Sequence, residues 1–125
     1  MGYRSEVGFV VRFKSKDDRD TFIELQRAKN DEYVTDALEC LEIPDEDDYF
    51  GFHSEAIKWY DSFLWVKTLD ALRHEAHELF DAAWRFIRIG EDYSDVEIEE
   101  QPADWDDGSL YEMLDIHRSL SVSFL

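Results

Sequence analysis

A chain of 125 residues has room for one domain, expected over 1–125. With 44% hydrophobic and 15% aromatic residues it carries too much large apolar surface for a disordered acidic tail. Its 31 acidic against 13 basic residues give a formal net charge of −18, which argues against phosphate contacts with nucleic acid and against an anionic membrane surface.

The only cysteine, Cys40, rules out an intrachain disulfide and a zinc site built from three or four cysteines. No stretch of about 18 apolar residues offers a membrane span, and Met1-Gly2-Tyr3-Arg4-Ser5-Glu6 lacks the apolar core of a signal peptide, so a cytoplasmic protein is expected.

Val7, Phe9, Val11 and Phe13 alternate with Glu6, Gly8, Arg12 and Lys14, the period of a half-buried strand. Ser15 suits a helix N-cap, with Asp17, Asp18 and Asp20 near the positive end of the dipole. Phe22, Ile23 and Leu25 supply its apolar side, and Lys29-Asn30 is the stop. Val34, Ala37, Leu38 and Leu41 then recur at helical spacing, with Cys40 read as a small core residue beside them, and Pro44 forbids continuation. The run Asp45-Glu46-Asp47-Asp48 reads as an exposed loop before a strand at Tyr49-Phe50-Gly51-Phe52. A turn near His53-Ser54-Glu55 and another strand through Ala56 to Tyr60 are expected next.

The longest helix is predicted over 65–82, its buried stripe formed by Val66, Leu69, Leu72, Ala76, Leu79, Phe80 and Ala83. Trp84 to Ile89 reads as a strand closed by a turn at Gly90-Glu91-Asp92. Val96 and Ile98 alternate with Asp95, Glu97 and Glu99 in another. Gln101 to Ser109 reads as a loop, and Leu110 to Ile116 fits a short helix or the start of a last strand. That strand ends with Leu120, Val122 and Phe124 inward and Ser119, Ser121 and Ser123 outward. The order predicts an α+β fold, a single antiparallel or mixed sheet with helices packed on one face, a ferredoxin-like variant among the options.

The acids are segregated. Ten lie between Lys29 and Lys58 and eleven between Arg88 and Arg118, two windows without a single lysine or arginine. Such clustering points to a surface for a basic partner rather than a uniform solvating coat, and the candidate contacts are Asp45, Glu46, Asp47, Asp48, Glu91, Asp92, Asp95, Glu97, Glu99, Glu100, Asp104, Asp106 and Asp107. Acids on one side of a strand repeat every ~6.6–6.8 Å. One DNA strand advances about 3.4 Å per phosphate, so Asp95, Glu97 and Glu99 would imitate it only with one of the acidic loops alongside. Tyr49, Tyr93 and Trp105 are aromatic anchors within those segments.

Catalytic and metal motifs are weak. His74 and His77 are three apart, not the i, i+4 pair of a zincin helix, and read as solvent-face residues. The acidic loops lack a calcium-loop pattern, and the five glycines form neither a phosphate cradle nor a nucleophile elbow. Neither an enzyme nor a cofactor is expected.

Met1-Gly2-Tyr3-Arg4-Ser5, Trp59-Tyr60 and Arg88-Ile89-Gly90-Glu91-Asp92 together resemble a group of small bacteriophage-encoded acidic proteins that begin with this MGYRS motif. No catalytic or binding residue comes with the resemblance. It implies a protein that disables a host enzyme in the host cytoplasm. In size and charge the chain is similar to phage DNA mimics, whose targets include DNA gyrase, restriction enzymes and CRISPR effectors. The expected function is therefore a DNA-mimic inhibitor in the DNA groove of a basic host protein, with gyrase the first candidate. The alternative is a non-catalytic acidic interaction or regulatory module. The sequence leaves the oligomeric state open, a dimer included.

Overall fold

The computed structural model describes residues 3–92, 94–117, 119–122 and 124, of which 116, 117 and 119–122 through their backbone alone. Strand β1 (Ser5–Arg12) leads into helices α1 (Lys16–Ala28) and α2 (Glu32–Glu39), then strand β2 (Tyr49–Ile57) and helix α3 (Leu64–Phe80). Strands β3 (Ala83–Ile89) and β4 (Val96–Gln101), the short helix α4 (Leu110–Met113) and strands β5 (Leu114–His117) and β6 (Ser119–Val122) complete it. Four strands form one sheet in the order β2-β1-β3-β4, every neighbouring pair antiparallel, while β5 and β6 make a separate hairpin. Since β1 runs against both of its neighbours, β2 and β3 are parallel and β2-α3-β3 straddles β1. That is one split β-α-β unit of the ferredoxin-like kind. The other connection, through α1 and α2, returns as an antiparallel neighbour.

Local chemistry sets the helix ends. Ser15 Oγ accepts the amide of Asp18 at 3.1 Å, and Asp31 Oδ1 accepts those of Tyr33 and Val34, so α1 and α2 start on side-chain caps. Asp81 closes α3 in the left-handed region at φ 54.

The main core lies between the sheet and α1–α3. Phe9, Phe13, Phe22, Phe50 and Phe86 are buried there with Leu69, Leu72 and Ala76. Phe22 and Phe50 stack with centroids 6.0 Å apart, and Phe80 meets Phe13 and Phe22 edge-on. A second, smaller core forms on the opposite face, where Val10, Ala83 and Ile87 pack with Leu110, Leu114 and Phe124.

Several expectations are corrected. β1 is covered on both faces, not half-buried, because α4 and the C-terminal segment seat on Val10. There is no turn at His53-Ser54-Glu55: β2 runs through to Ile57 and absorbs the extra residue as a register shift opposite Glu6. Leu79 and Leu25 are 54% and 46% exposed, since the buried stripe of α3 runs through Arg73 and Ala76 toward Phe80, and α1 turns Phe22, Ile23 and Gln26 inward. Ala83 belongs to β3. Cys40 is exposed, because α2 ends at Glu39 and only Ala37, Leu38 and Leu41 turn inward. The stretch Leu110 to Ile116 is both things in succession, α4 and then β5. Phe124 is buried as expected, whereas the alternation at 119–123 lies outside the described side chains. No helix among the described residues is long and apolar enough to cross a membrane.

Candidate partner-binding surface

The candidate acids do not form one row. At one end of the sheet Arg12, the last residue of β1, gathers acids from two distant loops. Its Nε donates to Asp48 at 3.3 Å, and its Nη1 donates to Asp106 at 3.1 Å, Asp107 at 2.9 Å and Ser109 Oγ at 2.6 Å. The Trp105 ring lies 5.6 Å from its guanidinium carbon. Asp104 stays exposed in the same loop.

The other end, roughly 24 Å away along β1, carries Glu91, Asp92 and Asp95. Asp95 accepts Arg88 Nη2 at 2.8 Å and the Tyr3 hydroxyl at 2.7 Å, and together they lower its pKa to about 2, Arg88 being the larger cause. Glu97 takes Arg88 Nε at 3.1 Å. Three further bonds close the network: Tyr3 N donates to Tyr60 Oη at 2.7 Å, Arg4 N to Glu91 at 3.1 Å and Arg88 Nη1 to Ser5 Oγ at 3.2 Å. A Cβ at Gly90 would sit 2.1 Å from Asp95 Oδ2 and 2.2 Å from the Tyr3 hydroxyl, so this latch requires glycine there. Residues 3–5, Tyr60 and the segment from Arg88 to Asp95 thus meet at one place, as a latch holding the N-terminal segment to the β3–β4 turn.

Along β4, Glu97 and Glu99 project to the helix face and Glu100 to the opposite one, where it is paired with Arg85 and accepts the Tyr111 hydroxyl at 2.6 Å. Between β4 and α3 lies a cleft of ≈ 320 Å³ lined by Trp59, Asp70, Arg73, Phe86, Glu97 and Glu99 among others. Arg73 is only 2% exposed, and its guanidinium carbon lies 4.4, 5.1 and 5.2 Å from the ring centroids of Phe86, Phe9 and Trp84. It bonds Asp70, and burial lowers its pKa against the pull of that partner. Burial, then Glu97, raises the pKa of Glu99.

The windows therefore differ in kind. Of the eleven acids in the second, Asp95, Glu97, Glu100, Asp106, Asp107 and Asp115 are tied to Arg88, Arg85 or Arg12. In the first, Asp48 alone is in an ion pair among the described residues. Asp31, Glu32, Asp36, Glu39, Glu42, Asp45, Glu46, Asp47 and Glu55 are all exposed. Glu32, Asp36 and Glu39 occupy one side of α2, about 60° wide, with axial steps of roughly 6 and 4.5 Å. That is about two-thirds of the linear charge density of one DNA strand, against about half for the strand row.

These three were inside the first window but outside the candidate set, although their i, i+4, i+7 spacing on a predicted helix is a sequence signal. The dipole favours Glu32 in the first turn, but Asp36 is a like charge four residues on, Glu39 sits at the negative end of the dipole, and no base occupies the last turn. Among the aromatic anchors, Tyr49 packs on the second core and Trp105 Nε1 donates to the Asp81 carbonyl at 2.7 Å, while Tyr93 lies outside the described residues. His77 Nδ1 is held by the Ala82 carbonyl at 2.9 Å, and the His74 ring lies edge-on to Trp84. No protein-family model matches this sequence, and no curated protein or solved structure matches it significantly.

Proposed function

We propose that this chain is a non-catalytic, stoichiometric inhibitor that offers an acidic face to the DNA groove of a basic host enzyme. The observation that carries the reading is the acidic side of α2, Glu32, Asp36 and Glu39, exposed and in no ion pair among the described residues, with Asp45, Glu46 and Asp47 also exposed in the loop before β2. Asp36 and Glu39 weaken their own helix, which favours a use for them other than folding. A carboxylate row of that density steers toward a basic channel, and the attraction fades as salt rises. The resemblance to bacteriophage-encoded proteins makes DNA gyrase the first target to try.

The test is displacement of DNA from gyrase by excess protein across a salt series. Displacement is expected at low salt, weakening as salt rises, and replacing Glu32, Asp36 and Glu39 by Lys abolishes it. Replacing Asp95, Glu97 and Glu99 by Lys has the smaller effect, because Arg88 pairs with two of those three carboxylates and already offsets one of their charges. Unchanged DNA binding at low salt removes gyrase; the same result across restriction enzymes, CRISPR effectors and other basic DNA-binding enzymes sinks the reading.

A second reading, an interaction or regulatory module whose acids only keep it soluble, is favoured by the second window, where six acids serve ion pairs within the fold. It predicts that charge reversal on α2 leaves the partner contact intact.

A further inference from the structure

Beside the acidic row of α2 lies a groove of different character. Asp36 and Cys40, one turn apart on α2, form its rim; Ala37, Phe52 and Leu69 lie at its floor, and Ile57 and Trp65 are its walls. Apart from the Asp36 carboxylate its lining is apolar, and its volume is ≈ 240 Å³. That is below the roughly 300–1,000 Å³ of pockets that enclose drug-sized ligands, and it suits a single inserted side chain. Its borders on α2 and β2 are acidic, while Lys58 follows Ile57 and Lys67 lies two residues past Trp65 on α3. Glu32 and Glu39 flank Asp36 on the helix, Glu55 is exposed in β2, and no lysine or arginine occurs from Asn30 to Ile57.

We infer that this groove is the anchor point of the acidic face, and that it takes one apolar side chain from a lysine- or arginine-rich segment of a protein partner. The inference rests on the reading of the α2 face as a surface for a basic partner, and adds what charge alone does not supply. An acidic row steers and orients, but each exposed pair is worth little once salt screens it. A desolvated anchor inside a polar rim is the usual make-up of a binding hot spot. A bare DNA mimic needs no such socket, because phosphates present nothing apolar to copy. The groove therefore predicts a partner recognised by sequence as well as by charge.

Two synthetic peptides test this, one with lysines around a central phenylalanine and a charge-matched twin with serine in its place, titrated into the full chain and followed by amide and indole NMR signals. The phenylalanine peptide is expected to bind about tenfold more tightly, the lower end of what burying such a side chain is worth. It should shift the signals of Ala37, Trp65 and Leu69, and its advantage should survive added salt while the shared charge component fades. Cys40→Trp, which fills the rim, should erase the advantage and leave the serine peptide's binding unchanged. Alkylating Cys40 with a bulky maleimide after folding gives the same readout without asking a variant to fold. Equal binding of both peptides overturns the groove and leaves the acidic face standing. Binding of neither at low salt overturns both.

Discussion

Replacing Arg12 by methionine keeps an unbranched apolar stem and removes the charge on which two loops converge. Asp106 is 8% exposed at its side chain, and losing its cation leaves a nearly buried carboxylate unpaired. Breaking a fully buried pair costs about 3–5 kcal/mol, and Arg12 is itself 23% exposed, so about 2 kcal/mol is the fitting share. The 3.3 Å pair with Asp48 adds about 0.5 kcal/mol, and the bond to Ser109 Oγ adds about 1 kcal/mol. Asp107, 71% exposed, adds nothing to the sum. The total is about 3.5 kcal/mol, or about 14 °C in Tm for a chain of this length. Urea and thermal melts followed by circular dichroism measure it. A double-mutant cycle with Asp106→Asn should recover about 2 kcal/mol as coupling. A loss below about 1 kcal/mol, or a coupling within the error of the cycle, would refute the idea that this cation clamps the loops.

Asp95 titrates below its ordinary value of 3.8, so it adds stability at higher pH that is lost as pH falls from about 4 to about 2. Arg88→Gln should return its carboxyl titration toward the ordinary range and flatten that acid limb, read by the Asp95 side-chain carbon signal and by acid unfolding. Glu99 has the opposite sign: its raised value means the folded state binds the proton more tightly, so ionising it works against the fold as pH rises past the carboxylate range. Glu99→Gln should therefore raise Tm at neutral pH and make little difference at acid pH; a lower Tm at neutral pH contradicts this. Arg73→Met should be nearly neutral, within about 1 kcal/mol, because the lost cation–π and Asp70 contacts are offset by the relieved desolvation of Nε and Nη1, which have no hydrogen-bond partner among the described residues. Arg73→Ala opens a cavity under three rings and should cost about 3 kcal/mol. Equal losses for the two variants would show that charge rather than packing holds that position.

Alternation in Val7, Phe9, Val11 and Phe13 was enough to place β1, because a period of two is a local property. The burial of Val10 was not, since its cover comes from Leu110, Leu114 and Phe124, about a hundred residues away. His53-Ser54-Glu55 reads as a turn by composition, but on an edge strand polar residues are free to face water and one extra residue becomes a bulge. Arg73 looks like a solvent residue until three rings close over it. The acids divided in the same way. Their clustering is countable in the sequence, whereas their neutralisation by Arg12, Arg85 and Arg88 depends on pairings between separate loops and strands. The exception is the row Glu32, Asp36 and Glu39, which helical spacing alone would have revealed.

The outer position of β4 has a consequence for how these molecules behave when crowded. An edge strand offers unpaired backbone amides and carbonyls to any second strand. Were two copies to meet there, Glu97 and Glu99 of one chain would face the same pair of the other across a ladder spacing of about 4.5–5.5 Å. The repulsion acts before the ladder can form. The exposed Val96 and Ile98, which would otherwise invite fibre-like stacking, are thereby guarded by the residues on either side of them.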